Sequence, residues 1–596
     1  MQHRERAIWI LISLTFGFTV ISYNLIQIQL VQHDKYRRMA ILNHLHPEKI
    51  EPKRGSIFDS DGQLLAETQT RTDVHLDGKL LTNPDEQLPI LAGLLQVPEA
   101  QLQAEYDPRK RDIPVAEDLD DDTVAKLMAL SQQDEQATAE QKAKAPNWNC
   151  LIFKPHDRRF YPNNDLAAHV LGYMDGQGQG AMGVEKELDK QLSGAPGERW
   201  VERDGKGKEV AGYQTEEKPA TDGCDVTLTI KAAIQHLVED ELDGIVQNYQ
   251  PNAAYIIVMD PHTGEILAMG SRPTFDPNDS RTFQAENVRN RCLTDPVEPG
   301  SIFKIITMAA ALNERKIDLR TPIFCENGEF TYGGKKLHDD EPNGWLPALE
   351  VMAQSSNIGF AKIALNYLHE EKLYQYATAF GIGQRTGLFE RQGESPGLLE
   401  PLNQWSALSI TRIPMGQEVE ATPLQMATAM CVVANGGRLM VPQVLKQVTD
   451  ASGHMAKVYQ PRMVRQVISP EAAQEVARAL EQVTIDGTAK NVHIEDASGA
   501  RWSFAGKTGT AQKVVDGEYS HTKFVSSFLG FLPAEDPAFV ALVMVDEPKT
   551  TKFYGAEVSA PVFASLGKQI AQMMNLPPDI PAPSSPVLTS YRPQAL

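Results

Sequence analysis

A serine and a lysine one helical turn apart are the first residues of this chain that could do chemistry. An apolar run of good helix formers begins at Ser301, just after Pro299 and Gly300, which predicts a buried helix with Ser301 in its first turn. Lys304 is three residues further on, so both side chains lie on the same face. A serine hydroxyl needs a base to take its proton, and a lysine can be that base if burial or another cation lowers its pKa. The N–H groups of the helix start could also stabilise an oxyanion.

The Ser-x-x-Lys spacing alone is weak support for a catalytic site. It recurs at Ser520–Lys523 and Ser565–Lys568, and a bare match is more often structural than catalytic. The case for Ser301 therefore depends on which other motifs accompany it, and in what order.

A second motif, Ser355-Ser356-Asn357, follows the predicted serine helix. The hydroxyl of Ser355 and the amide of Asn357 are two positions apart, so a short turn could direct both into one cleft. The hydroxyl could relay a proton, and the amide could hold a substrate peptide or the base lysine. A helix cap is the structural alternative for the same residues.

A third motif, Lys507-Thr508-Gly509-Thr510, lies in a strand-like run. Gly509 has no side chain, so a substrate backbone could lie against the strand edge at that point. Lys507 and the two threonine hydroxyls could hold a carboxylate. A glycine bulge is the structural alternative.

The elements that must position these motifs indicate an α+β fold. The runs Ala253–Met259 and Glu265–Met269 flank a turn and predict a β-hairpin. Strand-like runs also end the domain, at Phe504–Lys513, Phe524–Leu532 and Phe539–Val545. An early hairpin, central helices and late strands predict an antiparallel sheet closed by both ends of one domain, with helices packed against it.

The N-terminal region predicts a membrane anchor. Ala7 to about Leu30 has no charged residue and is long enough to cross a bilayer as a helix. A cleaved signal peptide is the alternative, although no Ala-x-Ala-like site follows the apolar stretch. Lys35 follows the apolar stretch at its C-terminal end. Basic residues therefore flank both ends of the stretch, and the flanking charges do not decide the topology.

Composition excludes several classes of protein. The 596 residues carry a formal net charge of −21 without a dense basic run, which argues against nucleic-acid binding. The five cysteines are widely spread and form no metal-binding pattern, so buried structural thiols are the expectation.

Together, the ordered motifs Ser301-x-x-Lys304, Ser355-x-Asn357 and Lys507-Thr508-Gly509 resemble those of the penicillin-binding proteins, specifically the monofunctional class B D,D-transpeptidases. The resemblance covers nearly the whole chain. Three further segments are similar to the septum-forming subtype; they are Ala421–Gln425, Phe504–Lys513 and Asp546–Pro548. Outside the three motifs, two positions depart from the residues expected of that subtype: Ala556 after Tyr554-Gly555, and Lys231 after Ile230.

The resemblance implies a division of the chain into four parts. We expect a cytoplasmic N-terminus and transmembrane anchor over residues 1–40 and an extended, mixed α/β pedestal domain over 41–220. A transpeptidase domain with a five-stranded antiparallel sheet would occupy 221–575, and a Pro-rich tail 576–596.

The resemblance also implies roles for the motif residues. Lys304 would deprotonate Ser301, which attacks the penultimate D-Ala of a peptidoglycan stem peptide, while Ser355 would pass the proton to the departing D-Ala. Asn357 would help to position the stem. Lys507, Thr508 and Thr510, with Gly509 between them, would receive the terminal carboxylate. Backbone N–H groups of Ser301 and Thr510 would stabilise the oxyanion.

No metal or cofactor is implied. The implied partners are peptidoglycan stem peptides, β-lactam antibiotics, the cytoplasmic membrane, a membrane glycosyltransferase and other division proteins. The bulk of the chain would face the cell wall on the outer side of the cytoplasmic membrane.

Three alternatives remain open at this point. An elongation-specific transpeptidase would carry the same motifs. A serine β-lactamase shares them too, but such enzymes are soluble and roughly half this length. A mainly non-catalytic scaffold could use the anchor and the first 220 residues to recruit division proteins.

Overall fold

The computed structural model describes residues 2–36, 39, 45–136, 148–202, 217–390 and 393–582. The chain forms two compact units: Met1–Gly55 with Ser193–Cys224, and Ser56–Leu192 with Asp225–Leu596. Most of the predicted Pro-rich tail, from residue 583 onward, lies outside the described residues.

The first unit contains the predicted anchor. A helix spans Gln2–Ile26 and continues as a π-helical turn over Gln27–Val31. The stretch Arg4–Val31 has a mean hydropathy of 1.7 over its most apolar window and is long enough to cross a membrane. An antiparallel pair of strands, Leu45–Ile50 and Gly197–Glu202, completes the unit.

A five-stranded antiparallel sheet, here called the central sheet, forms the core of the second unit. Its strands in spatial order are Ala505–Val515, Glu518–Leu532, Phe539–Asp546, Ala253–Met259 and Ile266–Arg272. The early hairpin pairs with the last strand of the chain, as the sequence predicts. Every residue of that hairpin's two strands is buried, which requires cover on both faces of the sheet.

Helices provide this cover. Ala232–Tyr249 packs against the hairpin strand Ile266–Arg272, and Gly555–Met573 packs against Glu518–Leu532. The helix Pro423–Ala434 packs on the middle strands and is buried along its whole length.

The start of this buried helix carries a reciprocal cap. Thr422 accepts a hydrogen bond from the Gln425 backbone N–H, and the Gln425 side chain accepts one from the Thr422 N–H. This reciprocal capping box precedes Pro423, which needs no N–H partner at that position.

The serine segment differs from the prediction in one respect. Ser301 lies in a 3₁₀ turn, Gly300–Phe303, and the α-helix begins only at Lys304 and ends at Asn313. Gly300 has a φ of +56°, a conformation that favours glycine, and its N–H donates to the carbonyl of Gly416. The start of the turn therefore involves a backbone contact with a distant residue that sequence spacing does not show.

A second sheet of seven strands belongs to the same unit. Its strands are Met455–Val458, Leu445–Thr449, Asp225–Leu228, Ile57–Phe58, Leu64–Leu76 and Ile113–Leu119, with Leu151–Phe160 also pairing to the long strand. These strands come from both sides of the predicted boundary near residue 220. The sheet therefore joins the predicted pedestal and transpeptidase segments by backbone hydrogen bonds.

Shorter elements complete the second unit. Its remaining α-helices are Pro84–Leu95, Glu99–Glu105, Asp121–Gln136, Ala168–Leu171, Gly183–Glu187, Asp189–Ser193, Ala285–Val288, Arg291–Thr294, Ala348–Ala353, Asn357–Ile363, His369–Ala379, Ser409–Arg412 and Pro470–Ile485. Three two-stranded sheets pair Pro322–Phe324 with Trp345–Pro347, Glu329–Tyr332 with Lys335–His338, and Arg438–Met440 with Met463–Gln466.

Candidate active site

The amine of Lys304 lies at the centre of the predicted site. Its Nζ is 3.0 Å from the Ser301 Oγ, so the first motif is assembled as the spacing predicts. The same Nζ is 2.6 Å from the backbone oxygen and 3.1 Å from the Oγ of Ser355, and 2.7 Å from the Oδ1 of Asn357. The two serine hydroxyl oxygens are 3.2 Å apart. The first two motifs therefore meet at one nitrogen atom.

The oxygens around this amine can all find a partner when the amine is neutral. The Ser355 carbonyl and the Asn357 Oδ1 can only accept hydrogen bonds, so they take both N–H donors of a neutral amine. Asn357 is held in this orientation because its Nδ2 donates to the His338 carbonyl at 3.0 Å. The amine's lone pair is then left for the hydroxyls of Ser301 and Ser355.

Burial of the Lys304 side chain favours the neutral amine. The side chain is fully buried, and burial lowers its pKa from 10.5 to about 7. Asp339 and Asp340 oppose this shift because negative charge favours the protonated amine. A lysine with a pKa near neutrality can accept a proton at ordinary pH.

The Ser-x-Asn segment is both a helix cap and part of the site. The middle residue, Ser356, caps the helix Asn357–Ile363 by accepting a hydrogen bond from the Gly359 N–H. Ser355 has a φ of +57°, which is uncommon for a residue with a side chain. This conformation directs the Ser355 hydroxyl back to Ser301. Ser356 therefore acts as the helix cap, while its neighbour Ser355 faces the nucleophile.

Asp339 holds this turn in place, and no sequence pattern indicates this role. Its carboxylate accepts hydrogen bonds from the Ser356 hydroxyl at 2.5 Å and from the Ile358 N–H at 2.9 Å. These bonds hold the residues on either side of Asn357. An acidic residue in a loop is too common for sequence alone to assign this contact.

Lys507, the lysine of the third motif, is fully buried, as Lys304 is. Burial lowers the pKa of Lys507 as well, and the charge of Lys304 lowers it further. Its Nζ is 3.2 Å from the Thr508 carbonyl. Lys507 therefore lies behind the cleft surface.

Gly509 is explained by packing between protein elements. A Cβ on this residue would lie 2.3 Å from the Ser527 Oγ and 3.2 Å from the Ile302 Cγ2. The space beside Gly509 is thus filled by the neighbouring strand and by the serine turn, whereas we had expected a substrate backbone to need it. Glycine lets the serine turn approach the strand closely.

The two threonines of the third motif line the cleft. The Thr508 Oγ1 is 2.7 Å from the Oγ1 of Thr488, and the Thr510 Oγ1 accepts a hydrogen bond from the Gly555 N–H at 3.0 Å. Their strand is at the edge of the central sheet, so only one of its edges is paired within that sheet. Both hydroxyls are held in place by residues that the sequence analysis did not identify.

The cleft has a volume of about 640 Å³. Five of the predicted residues line it: Ser301, Ser355, Asn357, Thr508 and Thr510. The residues that sequence reasoning missed include Glu298, His338, Asp340, Thr488, Phe524, Phe553, Tyr554 and Glu557. Apart from Glu298, which shortly precedes Ser301, they are distant in sequence from the nucleophile, and none belongs to a motif, so only the fold brings them to the site.

The other two Ser-x-x-Lys matches have no such surroundings. The Ser565 hydroxyl donates to the Glu241 carboxylate at 2.5 Å, and Ser520 binds backbone N–H groups in an exposed hairpin. Neither serine lines the cleft described above.

Comparison with known proteins agrees with the motif geometry. Residues 254–568 match the family model of the penicillin-binding protein transpeptidase domain, and residues 49–228 match that of the penicillin-binding protein dimerisation domain. The chain belongs to the class B penicillin-binding proteins.

Relatives of this penicillin-binding protein span most of its length. Stage V sporulation protein D of Bacillus subtilis is 33% identical and is aligned over 94% of this chain and 85% of the relative. The peptidoglycan D,D-transpeptidase FtsI of Escherichia coli is 27% identical over 93% of this chain and 89% of the relative. Among solved structures, penicillin binding protein 3 from Mycobacterium tuberculosis in complex with ampicillin is 25% identical, with a TM-score of 0.67, and the match covers 90% of this chain and 99% of that one.

Proposed function

We propose that this penicillin-binding protein is a peptidoglycan D,D-transpeptidase that acts in septal cell-wall synthesis and is inhibited by β-lactams. The observation that carries the proposal is the position of the Lys304 amine, which contacts Ser301, Ser355 and Asn357 together. The names of FtsI and of the other curated D,D-transpeptidases support the reaction and the substrate. The septal role rests on the likeness to FtsI and on the motif variants noted in the sequence.

Acylation begins with proton transfer from the Ser301 hydroxyl to the Lys304 amine. The Ser301 oxygen then attacks the carbonyl carbon of the penultimate D-Ala of a stem peptide. The backbone N–H groups of Ser301 and Thr510 stabilise the oxyanion of the tetrahedral intermediate. The bond to the terminal D-Ala breaks, and its nitrogen receives a proton through the hydroxyl of Ser355.

Transfer to the second stem reverses these proton movements. The amine of the acceptor stem attacks the ester carbonyl and loses a proton to the Ser355–Lys304 pair. The new amide bond is the cross-link, and Ser301 leaves with its proton restored. No further reactant is needed, because one amide bond is broken and one is formed.

The third motif receives the carboxylate of the terminal D-Ala. The hydroxyls of Thr508 and Thr510 line the cleft and can donate hydrogen bonds to it. Lys507, just behind them, has a lowered pKa while the site lacks an anion. A substrate carboxylate favours its protonated form, so binding restores a cation that complements the substrate.

The remaining parts of the chain anchor and place this domain. Residues 1–40 form a single-pass anchor with a cytoplasmic N-terminus, and everything beyond them faces the cell wall. Residues 41–220 act as a pedestal, 221–575 as the transpeptidase domain and 576–596 as a tail. A membrane glycosyltransferase and other division proteins are the proposed partners, because cross-linking requires newly made glycan strands.

The test of the site is the position of a penicillin adduct. Mass spectrometry of the penicillin-treated full-length protein should find the adduct on the peptide that contains Ser301. The two other Ser-x-x-Lys serines, Ser520 and Ser565, serve as internal controls. An adduct on either of them, or no adduct at all, would rule out the assignment.

The lifetime of the adduct tests the β-lactamase alternative. A transpeptidase holds the penicilloyl ester for a long time, whereas a lactamase hydrolyses it and turns over. Rapid loss of the adduct with accumulation of hydrolysed penicillin would therefore indicate a hydrolase.

Similarity to Stage V sporulation protein D favours a second cellular role. In that case the same reaction would serve the wall of a developing spore. Depletion in growing cells separates the two roles, since loss of a septal enzyme produces filaments and loss of a spore-specific enzyme does not.

A further inference from the structure

A small cationic pocket lies outside the active-site cleft. It has a volume of about 180 Å³ and is formed by the loop after helix His369–Ala379, by helix Pro423–Ala434 and by the strand pair around residues 438–466. Three arginines line it: Arg385, Arg462 and Arg465. No acidic side chain is among the described residues that line this pocket, although the chain as a whole has a net charge of −21.

The three guanidinium groups have few protein partners. Within the part of the chain that the structure describes, none of them is found in an ion pair. The Nε of Arg385 donates to the Glu394 backbone carbonyl at 2.9 Å, and an Nη of Arg465 reaches the Gln384 amide oxygen only at 3.5 Å. Most of their donors are therefore available to a ligand.

Two buried polar atoms in the same pocket point to a missing acceptor. The Nε of Arg465 and the Oγ1 of Thr386 are closed off from solvent and have no hydrogen-bond partner among the described residues. Buried polar atoms in proteins nearly always have a partner, so two unpaired donors lining one pocket are unusual. Both residues line the pocket, and an oxygen anion bound there is the kind of acceptor that the described residues do not supply.

The shape of the pocket limits what that anion can be attached to. Its volume is below the range of about 300–1,000 Å³ that is usual for drug-sized ligands, so only a small group fits. Its walls also include apolar side chains, among them Phe380, Leu439 and Val464. A carboxylate carried by one or two small residues suits this combination, because guanidinium groups bind carboxylates in a two-pronged manner.

We propose that this arginine pocket binds the terminal carboxylate of a short peptide end, and specifically a stem peptide that ends in D-Ala. The choice of a wall peptide over a protein C-terminus rests on the proposed function and on the small volume. The pocket is then a second peptide site, separate from the one in which Ser301 reacts.

Binding to the full-length protein in detergent tests the proposal. The protein is first acylated at Ser301 with a penicillin, so that the cleft cannot take the probe, and N-acetyl-D-Ala-D-Ala is titrated by calorimetry. We expect one bound peptide per chain, with affinity lowered about tenfold or more for the C-terminal amide, which lacks the charged acceptor. Arg465→Gln and Thr386→Val should weaken binding in the same way.

Matched variants keep the result interpretable. Arg462→Gln removes an exposed pocket arginine and should fold normally, and Arg320→Gln removes an exposed arginine elsewhere and should bind like the unmodified protein. Any of three results would overturn the proposal: equal binding of the acid and the amide, binding by Arg462→Gln and Arg465→Gln that is as tight as in the unmodified protein, or no binding at all. Tighter binding of N-acetyl-L-Ala-L-Ala, or of inorganic phosphate, would overturn its assignment to wall peptides. Failure of the proposed function would appear earlier and separately, as no penicillin adduct on Ser301.

Discussion

The amine of Lys304 meets two oxygens that can only accept hydrogen bonds and two hydroxyls that can donate or accept. A protonated amine in the same position would use all its donors and leave no lone pair for Ser301. Burial favours the neutral amine, and the four oxygens can all be satisfied in that state. Lys507, equally buried, lacks this set of acceptors and contacts mainly its neighbour Thr508.

This difference predicts unequal effects of arginine at the two lysines. Lys304→Arg should lower the second-order rate of penicillin acylation by at least about 10²–10⁴-fold, because arginine stays protonated and cannot act as a base. Lys507→Arg keeps a cation and should lose less. Both lysines are fully buried, so the larger guanidinium group disturbs the packing at both positions. The difference between the two variants therefore reports the loss of the proton acceptor at position 304. If Lys304→Arg, shown to be folded, acylates as fast as Lys507→Arg, the two roles are wrongly assigned.

The lowered pKa of Lys304 predicts a pH dependence of acylation. Only the neutral amine accepts the Ser301 proton, so the acylation rate should rise with pH, reach half its maximum near pH 7 and level off above it. The measurement is the second-order acylation rate between about pH 5.5 and 9, with circular dichroism to confirm folding at each pH. A rate that is flat from pH 6 to 8, or that falls with rising pH, would contradict a lysine base with this pKa.

At the scale of elements, patterns that are local in sequence were predictable. The cap of Pro423–Ala434 is visible as Thr, Pro and Gln at the right spacing, and the late strands are visible as apolar runs. The 3₁₀ turn at Ser301 was not predictable, because it is entered through a left-handed Gly300 that contacts the distant Gly416. For the same reason, Asp339 and Thr488 could not be assigned to the site before the fold placed them there.

Two glycines illustrate how differently the same substitution should act. Gly509→Ala places a Cβ against Ser527 and Ile302, so it should push the motif strand away from the serine turn and lower both the melting temperature and the acylation rate. Gly244→Ala in helix Ala232–Tyr249 meets nothing within 4 Å and should stabilise the protein by about 0.5–1 kcal/mol. Thermal unfolding and acylation measured side by side provide the check. Unchanged acylation by Gly509→Ala would show that the strand tolerates the displacement.

At the scale of the whole molecule, the N-terminal helix predicts how the chain is held. The long apolar helix within Arg4–Val31 should keep the protein in the membrane fraction after washing with salt or carbonate. N-terminal sequencing of the purified protein should find the original N-terminus, and a reporter fused before residue 4 should be cytoplasmic. A mature N-terminus beyond residue 30 would show that the helix is a cleaved signal.

The seven-stranded sheet has a consequence for the order in which the chain can fold during synthesis. Its strand Asp225–Leu228 pairs with Ile57–Phe58 on one side and with Leu445–Thr449 on the other. About 220 residues separate Asp225–Leu228 from Leu445–Thr449. At roughly 5–20 residues per second, Asp225–Leu228 waits roughly 10–45 s for this second partner to emerge. One edge of the strand is unpaired during that interval and is a site for aggregation. The nascent chain therefore needs this edge shielded until translation has passed residue 449.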